Sequence, residues 1–485
     1  MASFFPFWLG YILNGATLPP SVTFCMARYV PVRNATVFAR IRPVFFRRKQ
    51  VGYEDPFVSF RRSLRQIRDG FEFSFWVANI SELFERLAFY GPQAVLAIFL
   101  HEYLRMSVQD TGKLMGSFGF AAFSLPIISG TLADRFGFRN SLLFAYSILT
   151  GGYFLTASLS APWFAPVVRV LPLYWLVLGI LIVTAFGPSF VKPCVVGTIP
   201  QTSKENVRSL GYSIYYTIMS VGSCFGPVAA YLVRTSYGVR SVFRASALTT
   251  LSMLLFIFLF FREPRTSAPT AVTSIGEALR NLAKAMTDGP FVTLLAIYSV
   301  YWMVFWQVFV AMPLYLRGFV DPRAKVDLIL AVDPFLIMFF QVAVSTLTRR
   351  LSAVSAMALG LGASGLSMLV FALHRSVWIA VLALSVLAVG EMIQAPRYFE
   401  HIAGLAPENQ KGLFMGCAFF PVGLGYLLAG RLGGVLVHRY CEAEHRPQEM
   451  WMILAAVGLL SGVAMLAFGK TNQWRRAVTW QRSSP

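Results

Sequence analysis

Long apolar runs recur along the chain between residues 73 and 469, separated by short polar breaks. About 20 apolar residues in a helix cross the ~30 Å hydrocarbon core of a bilayer. Twelve such segments are predicted. The first six lie near 73–100, 112–133, 140–161, 170–199, 206–235 and 239–261. The second six lie near 291–318, 326–347, 353–373, 376–404, 410–437 and 449–469. The runs are continuous and do not alternate, which argues against a membrane β-barrel. A polar stretch over 262–290 divides six from six. The pattern therefore predicts an all-α integral membrane protein of two six-helix bundles, 73–261 and 291–469. The rest of the chain divides into an extension (1–72), a linker (262–290) and a tail (470–485).

Composition agrees. The 485 residues are 56% hydrophobic and 13% charged, where a soluble domain carries about 25% charged residues. The net charge of +20 does not point to nucleic acid, because its placement fits the cytoplasmic bias of Lys and Arg in membrane proteins. Arg135, Arg139, Lys204, Arg208, Arg262, Arg265, Arg280, Lys284, Arg349, Arg350, Lys470, Arg475 and Arg476 all fall in segments predicted on one side. Fewer lie opposite: Arg234, Arg240 and Arg323. Extension, linker and tail are thus expected in the cytoplasm. No Asp or Glu precedes Glu54, whereas Arg40, Arg42, Arg47, Arg48, Lys49, Arg61, Arg62, Arg65 and Arg68 crowd the approach to the first helix. A cytoplasmic basic arm is favoured there. A transit peptide, or a start placed too early with Met26 as its rival, are the alternatives. Cys25, Cys194, Cys224, Cys417 and Cys441 show no metal-ligand spacing and read as small apolar residues. No metal and no cofactor are expected.

The first helix contains ELFERLAFYG, Glu82–Gly91. Each charge at the bilayer centre costs roughly 2.5–3.5 kcal/mol on insertion scales, so such groups face a protein interior. Glu82, Arg86 and Phe89 share one helix face, flanked by Glu85 and Tyr90. One carboxylate can neutralise Arg86 and leave the other free to take up a proton; the alternative is an ion pair that only joins helices. Lys192, Asp333 and Glu391 lie in other predicted spans. The halves also echo each other. GPSFVKP in helix four and GEMIQAP in helix ten both place Gly six positions before Pro. Gly211 and Gly222 in helix five match Gly412 and Gly423 in helix eleven. The nearly constant offset indicates duplication of a six-helix unit, the parallel repeat of the major facilitator architecture.

In series, the motifs resemble the proton-coupled oligopeptide transporter family. ELFERLAFYG is similar to its first-helix E-x-x-E-R-F-x-Y-Y-G, FGPSFVKP to G-x-x-x-K-P, and GYSIYYTIMSVGS to F-S-x-F-Y-x-x-I-N-x-G-S. VDPFLIMFF resembles N-P-x-F-I, GEMIQAP resembles G-E-L-x-x-S-P, and GTLADRFGFRN (Gly130 to Asn140) resembles the facilitator loop between helices two and three. The resemblance implies a major facilitator fold, with Glu82, Glu85 and Arg86 as the proton-coupling group. It implies that Arg86 and Lys192 meet the substrate carboxylate and Glu391 its amino terminus. Tyr90, Tyr216 and Ser220 would line the cavity, and Asp134 and Arg135 would belong to a cytoplasmic gate.

There are departures. Phe89 replaces the first Tyr of the pair, Ser220 an Asn, Asp333 an Asn and Ala418 a Trp. In YWMVFWQVF, Trp306 stands where the family commonly has Glu, removing one gating ion pair and offering a stacking surface for substrate. The expected activity is proton-coupled symport of small peptides or similar zwitterionic solutes by a monomer in the plasma membrane or bacterial inner membrane. Its partners would be peptide, protons and the lipid bilayer. A facilitator-type exporter of drugs or lipids would instead need an apolar cavity. A receptor-like member that transports nothing would be compatible with Trp306 and Phe89. Neither a Walker-type loop nor a Ser-His-Asp or H-E-x-x-H constellation is present, so pump and enzyme readings are disfavoured.

Overall fold

The computed structural model describes residues 70–264, 286–405 and 417–471, together with Gly276, Arg280 and Ala283. The basic extension up to residue 69, most of the linker, the start of the eleventh predicted helix and the tail beyond Thr471 lie outside the described residues. Among the described residues, eleven helices are long and apolar enough to cross a membrane. They are Phe73–Tyr103, Phe138–Ser158, Leu173–Thr202, Leu210–Tyr237 and Val239–Phe260, followed by Gly289–Val320, Val326–Thr348, Ala353–Leu373, Val377–Ile402, Phe420–Ala443 and Pro447–Lys470. These are spans one, three to six and seven to twelve of the expected series. The second span is divided into Val108–Ser124 and Pro126–Phe136, with Leu125 between them. Pro126 has no N–H to donate to the preceding turn, so the helical ladder lapses there.

The sequence supplies the starts of these spans. Ser107 accepts the Asp110 N–H at 3.1 Å to open the second span. Asp288 accepts the Phe291 N–H at 2.9 Å, with Pro290 in the first turn, to open the seventh. Ser352 accepts the Ser355 N–H at 3.1 Å to open the ninth. Each oxygen satisfies a donor that the helix itself leaves unpaired. Gly137 (φ +82°) and Gly238 (φ +84°) make the turns into spans three and six, in a backbone region closed to larger residues. Spans one, seven and eleven end in π-helical turns, Phe99–Tyr103, Leu316–Val320 and Val437–Ala443.

Helix packing repeats between the halves. Span three packs on four and six, one on six, and two on four; correspondingly, nine packs on ten and twelve, seven on twelve, and eight on ten. Across the halves, span two lies along span eleven and span one touches seven. Gly112 and Gly116, four residues apart, face Gly430 and Gly434 so closely that a Cβ on Gly112 would land on the Gly430 carbonyl. This is the small-xxx-small contact of membrane helices. At one end of the helices, Arg234 Nε and Nη2 donate to Asp327 at 2.8 and 3.0 Å, and Arg317 pairs with Glu102 at 3.0 Å. Gly70–Glu72 and Ser203–Gly211 form a separate small unit, in which Phe71 bridges Ser203 antiparallel and the Lys204 N–H donates to the Gly70 carbonyl at 2.9 Å.

Candidate functional site

The first-span cluster is deeply buried: Glu82 is 0% exposed, Glu85 1% and Arg86 7%. Arg86 forms a close ion pair with Glu85 and places Nε 3.4 Å from a Glu82 oxygen. Neither oxygen of Glu82 accepts a hydrogen bond, and Oε1 of Glu85 accepts none. The guanidinium also lies 5.2 Å from the Phe89 ring centre. Gly222 of span five makes room for this group, because a Cβ there would stand 2.6 Å from Arg86 Cβ and 2.9 Å from the Leu83 carbonyl. Gly226, one turn on, does the same for Tyr90. The repeat pattern flagged Gly222 for its spacing, and its service to Arg86 is visible only in three dimensions.

Other predicted residues come to this cluster from different helices. Lys192 interacts electrostatically with Arg86, Glu82 and Glu85, and its Nζ sits 4.2 Å from the Phe419 ring centre across the halves. Tyr90 interacts with Arg86 and Glu85 on one side and with Glu391 of span ten on the other.

The second half adds a carboxylate. Asp333 of span eight interacts with Glu391, and each acid has an oxygen that is buried and accepts no hydrogen bond. Tyr301 of span seven interacts with both, and its hydroxyl accepts a hydrogen bond from Gln394 Nε2 at 3.0 Å. Sequence reasoning named Asp333 as a charge within a span and as a departure from the family pattern, and missed Tyr301 and Gln394. The Gln spaced i+3 from Glu391 was the available signal.

The other predicted lining positions are Tyr216, Ser220 and Trp306. Tyr216 is 60% exposed, while its neighbour Tyr215 is 1% exposed and interacts with Glu82, Arg86 and Glu85. Ser220, on the same helix, donates back to the Tyr216 carbonyl at 2.8 Å. Trp306 is 3% exposed. It stacks on Tyr426 at 4.1 Å, lies 5.4 Å from Phe123 and donates Nε1–H to the Val422 carbonyl at 3.2 Å. Gln93 bonds the Tyr426 hydroxyl from span one. In this state the indole is sealed inside a junction of spans one, two, seven and eleven, because its ring and N–H are both taken by span eleven. The cavity at the outer ends of spans one, seven and eleven, about 320 Å³ in volume, lies apart from this site and is lined by His101, Glu102, Arg317 and Glu442 among others.

The family model for the Major Facilitator Superfamily matches residues 79–396, about two thirds of the chain. The chain belongs to the Major Facilitator Superfamily. It is 21% identical to the uncharacterized MFS-type transporter YqjV of Bacillus subtilis over 84% of this chain and 96% of that protein. It is 22% identical to dipeptide and tripeptide permease A of Erwinia pyrifoliae over 75% and 85%, and 21% identical to multidrug resistance protein MdtH of Escherichia coli over 78% and 90%. Its fold matches the crystal structure of a POT family transporter in complex with a thioalcohol conjugated peptide, with a TM-score of 0.69, 16% identity, and coverage of 81% and 96%. The protein is thus a multi-pass integral membrane member of a transporter superfamily.

In this facilitator the loop between spans two and three is tied to the end of span six. Glu263 accepts the Phe138 and Arg139 N–H groups, both at 2.7 Å, and so caps the start of span three. Arg139 donates to the Phe261 and Phe258 carbonyls at 3.1 and 2.8 Å. Arg135 is exposed, its guanidinium 5.8 Å from the Phe136 ring centre. The Asp134 side chain lies outside the described residues.

Proposed function

We propose that this facilitator is a proton-coupled symporter of small peptides, belonging with the oligopeptide transporter group of its superfamily. One observation carries the reading: Lys192 and Arg86 share the electrostatic surroundings of the first-span acids, and Tyr90 interacts with both Arg86 and Glu391 of the second half. A zwitterion spanning that neighbourhood meets a cation at its carboxylate and a carboxylate at its ammonium. The likeness to dipeptide and tripeptide permease A and to the POT family transporter in complex with a peptide conjugate supports the same substrate class. Tyr90 would position the ligand, Tyr216 and Ser220 would line its path, and Trp306 would close over it from span seven. Asp134 and Arg135 would work at the cytoplasmic side. The functional halves would be 73–261 and 291–469, joined by the cytoplasmic linker 262–290, with 1–72 and 470–485 as cytoplasmic extensions.

The Glu82/Glu85/Arg86 group would carry the coupled proton. Glu85 holds Arg86 in a close pair, whereas Glu82 is fully buried with no hydrogen bond to either oxygen. Proton uptake by the acid that holds Arg86 would release the guanidinium toward a substrate carboxylate, and proton loss would restore the pair. Uptake of labelled dialanine into proteoliposomes, with and without an inward proton gradient, tests the function. The gradient is expected to drive accumulation, and Glu82→Gln to abolish accumulation while substrate counterflow stays detectable. Gradient-independent uptake, or export of apolar compounds only, would refute the reading.

A further inference from the structure

We propose that the cavity at the ends of spans one, seven and eleven is a second binding site for a small zwitterionic peptide, separate from the Glu82/Glu85/Arg86 centre. The inference rests on the peptide reading above for the identity of the solute, and on the cavity itself for the existence of the site.

Three π-helical turns meet there. Among the described residues, the turns of this kind are Phe99–Tyr103, Leu316–Val320 and Val437–Ala443. Each contributes to the wall of one cavity of about 320 Å³: His101 and Glu102 from the first, Arg317 and Gly318 from the second, Glu442 from the third. Such turns are rare and recur at functional sites, because the extra residue in the turn re-aims the side chains around it. The volume falls at the lower end of the range for small-molecule sites, roughly 300–1,000 Å³. Both halves supply the wall, so a solute held there bridges span one to spans seven and eleven.

The polar groups of the wall suit the two ends of a zwitterion. Arg317 Nε lies 3.0 Å from a Glu102 oxygen, yet that buried nitrogen makes no hydrogen bond. Among the described residues the guanidinium is paired with no other acid. Its two Nη groups remain for a carboxylate, which Arg binds through both at once. Acceptors are also to hand. Glu442 Oε2 lies 2.8 Å from His438 Nδ1 on its own turn, and among the described residues Oε1 accepts no hydrogen bond. His101 Nδ1 lies 2.8 Å from the Met106 carbonyl, which can only accept, so Nδ1 carries the proton and Nε2 of the neutral ring is an acceptor. Glu102, Glu442 and His101 can thus receive the three N–H groups of an ammonium. Two carboxylates against one guanidinium disfavour a bare anion, and a solute with both charges meets an opposite at each end.

The test counts ligands. The full chain is held in lipid nanodiscs, which leave both faces accessible, and labelled dialanine bound at saturation is measured per chain. Two per chain are expected for the wild type and one for Glu442→Gln. Gly318→Trp is the second variant: a Cβ on Gly318 meets nothing within 4 Å, so an indole can occupy the cavity without displacing the helices around it. One dialanine per chain is expected again. A count left unchanged by either variant overturns the proposal. If the wild type binds a single dialanine that both variants lose, and proteoliposomes never accumulate dialanine, the cavity site stands and the central symport reading fails.

Discussion

The two halves descend from one six-helix pattern and solve the burial of charge differently. In the first half, Glu82 and Glu85 are matched by Arg86 and Lys192, and every charge has an opposite nearby. In the second half, among the described residues, Asp333 and Glu391 form no ion pair, and each keeps a buried oxygen that accepts no hydrogen bond. The first centre is neutral by pairing, so its stability resides in the partners. The second reaches neutrality only by accepting a proton or a cation from outside. Charge compensation is supplied by the chain itself in one half and borrowed in the other.

The comparison breaks most visibly if the first centre is made to resemble the second. Arg86→Ala strands two buried carboxylates and is expected to cost about 3–5 kcal/mol, as removal of one partner from a buried pair does. Unfolding in detergent measures this. Adding Glu82→Gln and Glu85→Gln to the same chain should restore most of the loss. In the second half, Asp333→Asn should leave stability unchanged or raise it, because no partner is stranded.

Gly222→Ala tests the space around the paired centre. The new methyl meets Arg86 Cβ and the Leu83 carbonyl, so it is expected to destabilise by about 1–3 kcal/mol through overpacking. Peptide uptake should fall with it, since Arg86 is displaced from both acids. The equivalent change at Gly151, which has open space around its Cβ position, is the control and should have little effect.

The smallest effect concerns the link between the halves. Phe419→Leu removes the ring beneath the Lys192 ammonium, a contact contributing about 0.5–1 kcal/mol at a partly exposed site. The loss should appear as a modest rise in the dialanine concentration giving half-maximal uptake. The maximal rate should stay near that of the wild type. A collapse of maximal rate would instead make Phe419 part of the cycle itself.

The spans were readable because continuous apolarity over a bilayer's width has one helical solution, and the Phe73–Tyr103 and Ala353–Leu373 boundaries fall within a few residues of expectation. The split at Leu125 falls before Pro126, whereas span four runs unbroken through Pro188, Pro193 and Pro200. The Glu82/Glu85/Arg86 pairing was readable as well, because it is local to one helix face. Contacts between helices were less accessible. Tyr215 and Tyr216 are sequence neighbours about 100° apart on a helix, and motif spacing does not say which faces the acids. Trp306 reads as an aromatic in a polar site, yet its environment is set by Tyr426, more than a hundred residues away. Asp333 and Glu391 are likewise distant in sequence, so their interaction has no local signature.

The contact of Gly112 and Gly116 with Gly430 and Gly434 has a consequence for how the halves can vary. Side chains that touch can change rotamer and leave the helix axes where they were. Backbone that touches backbone has no such slack, so the distance between spans two and eleven is set by the main chain itself. Any added methyl would act there as a wedge, and its thickness would be passed to the whole of both helices rather than absorbed. The spacing of the two halves along this seam is therefore a property written in hydrogen atoms, which makes these four positions the least free to drift in a surface otherwise tolerant of apolar exchange.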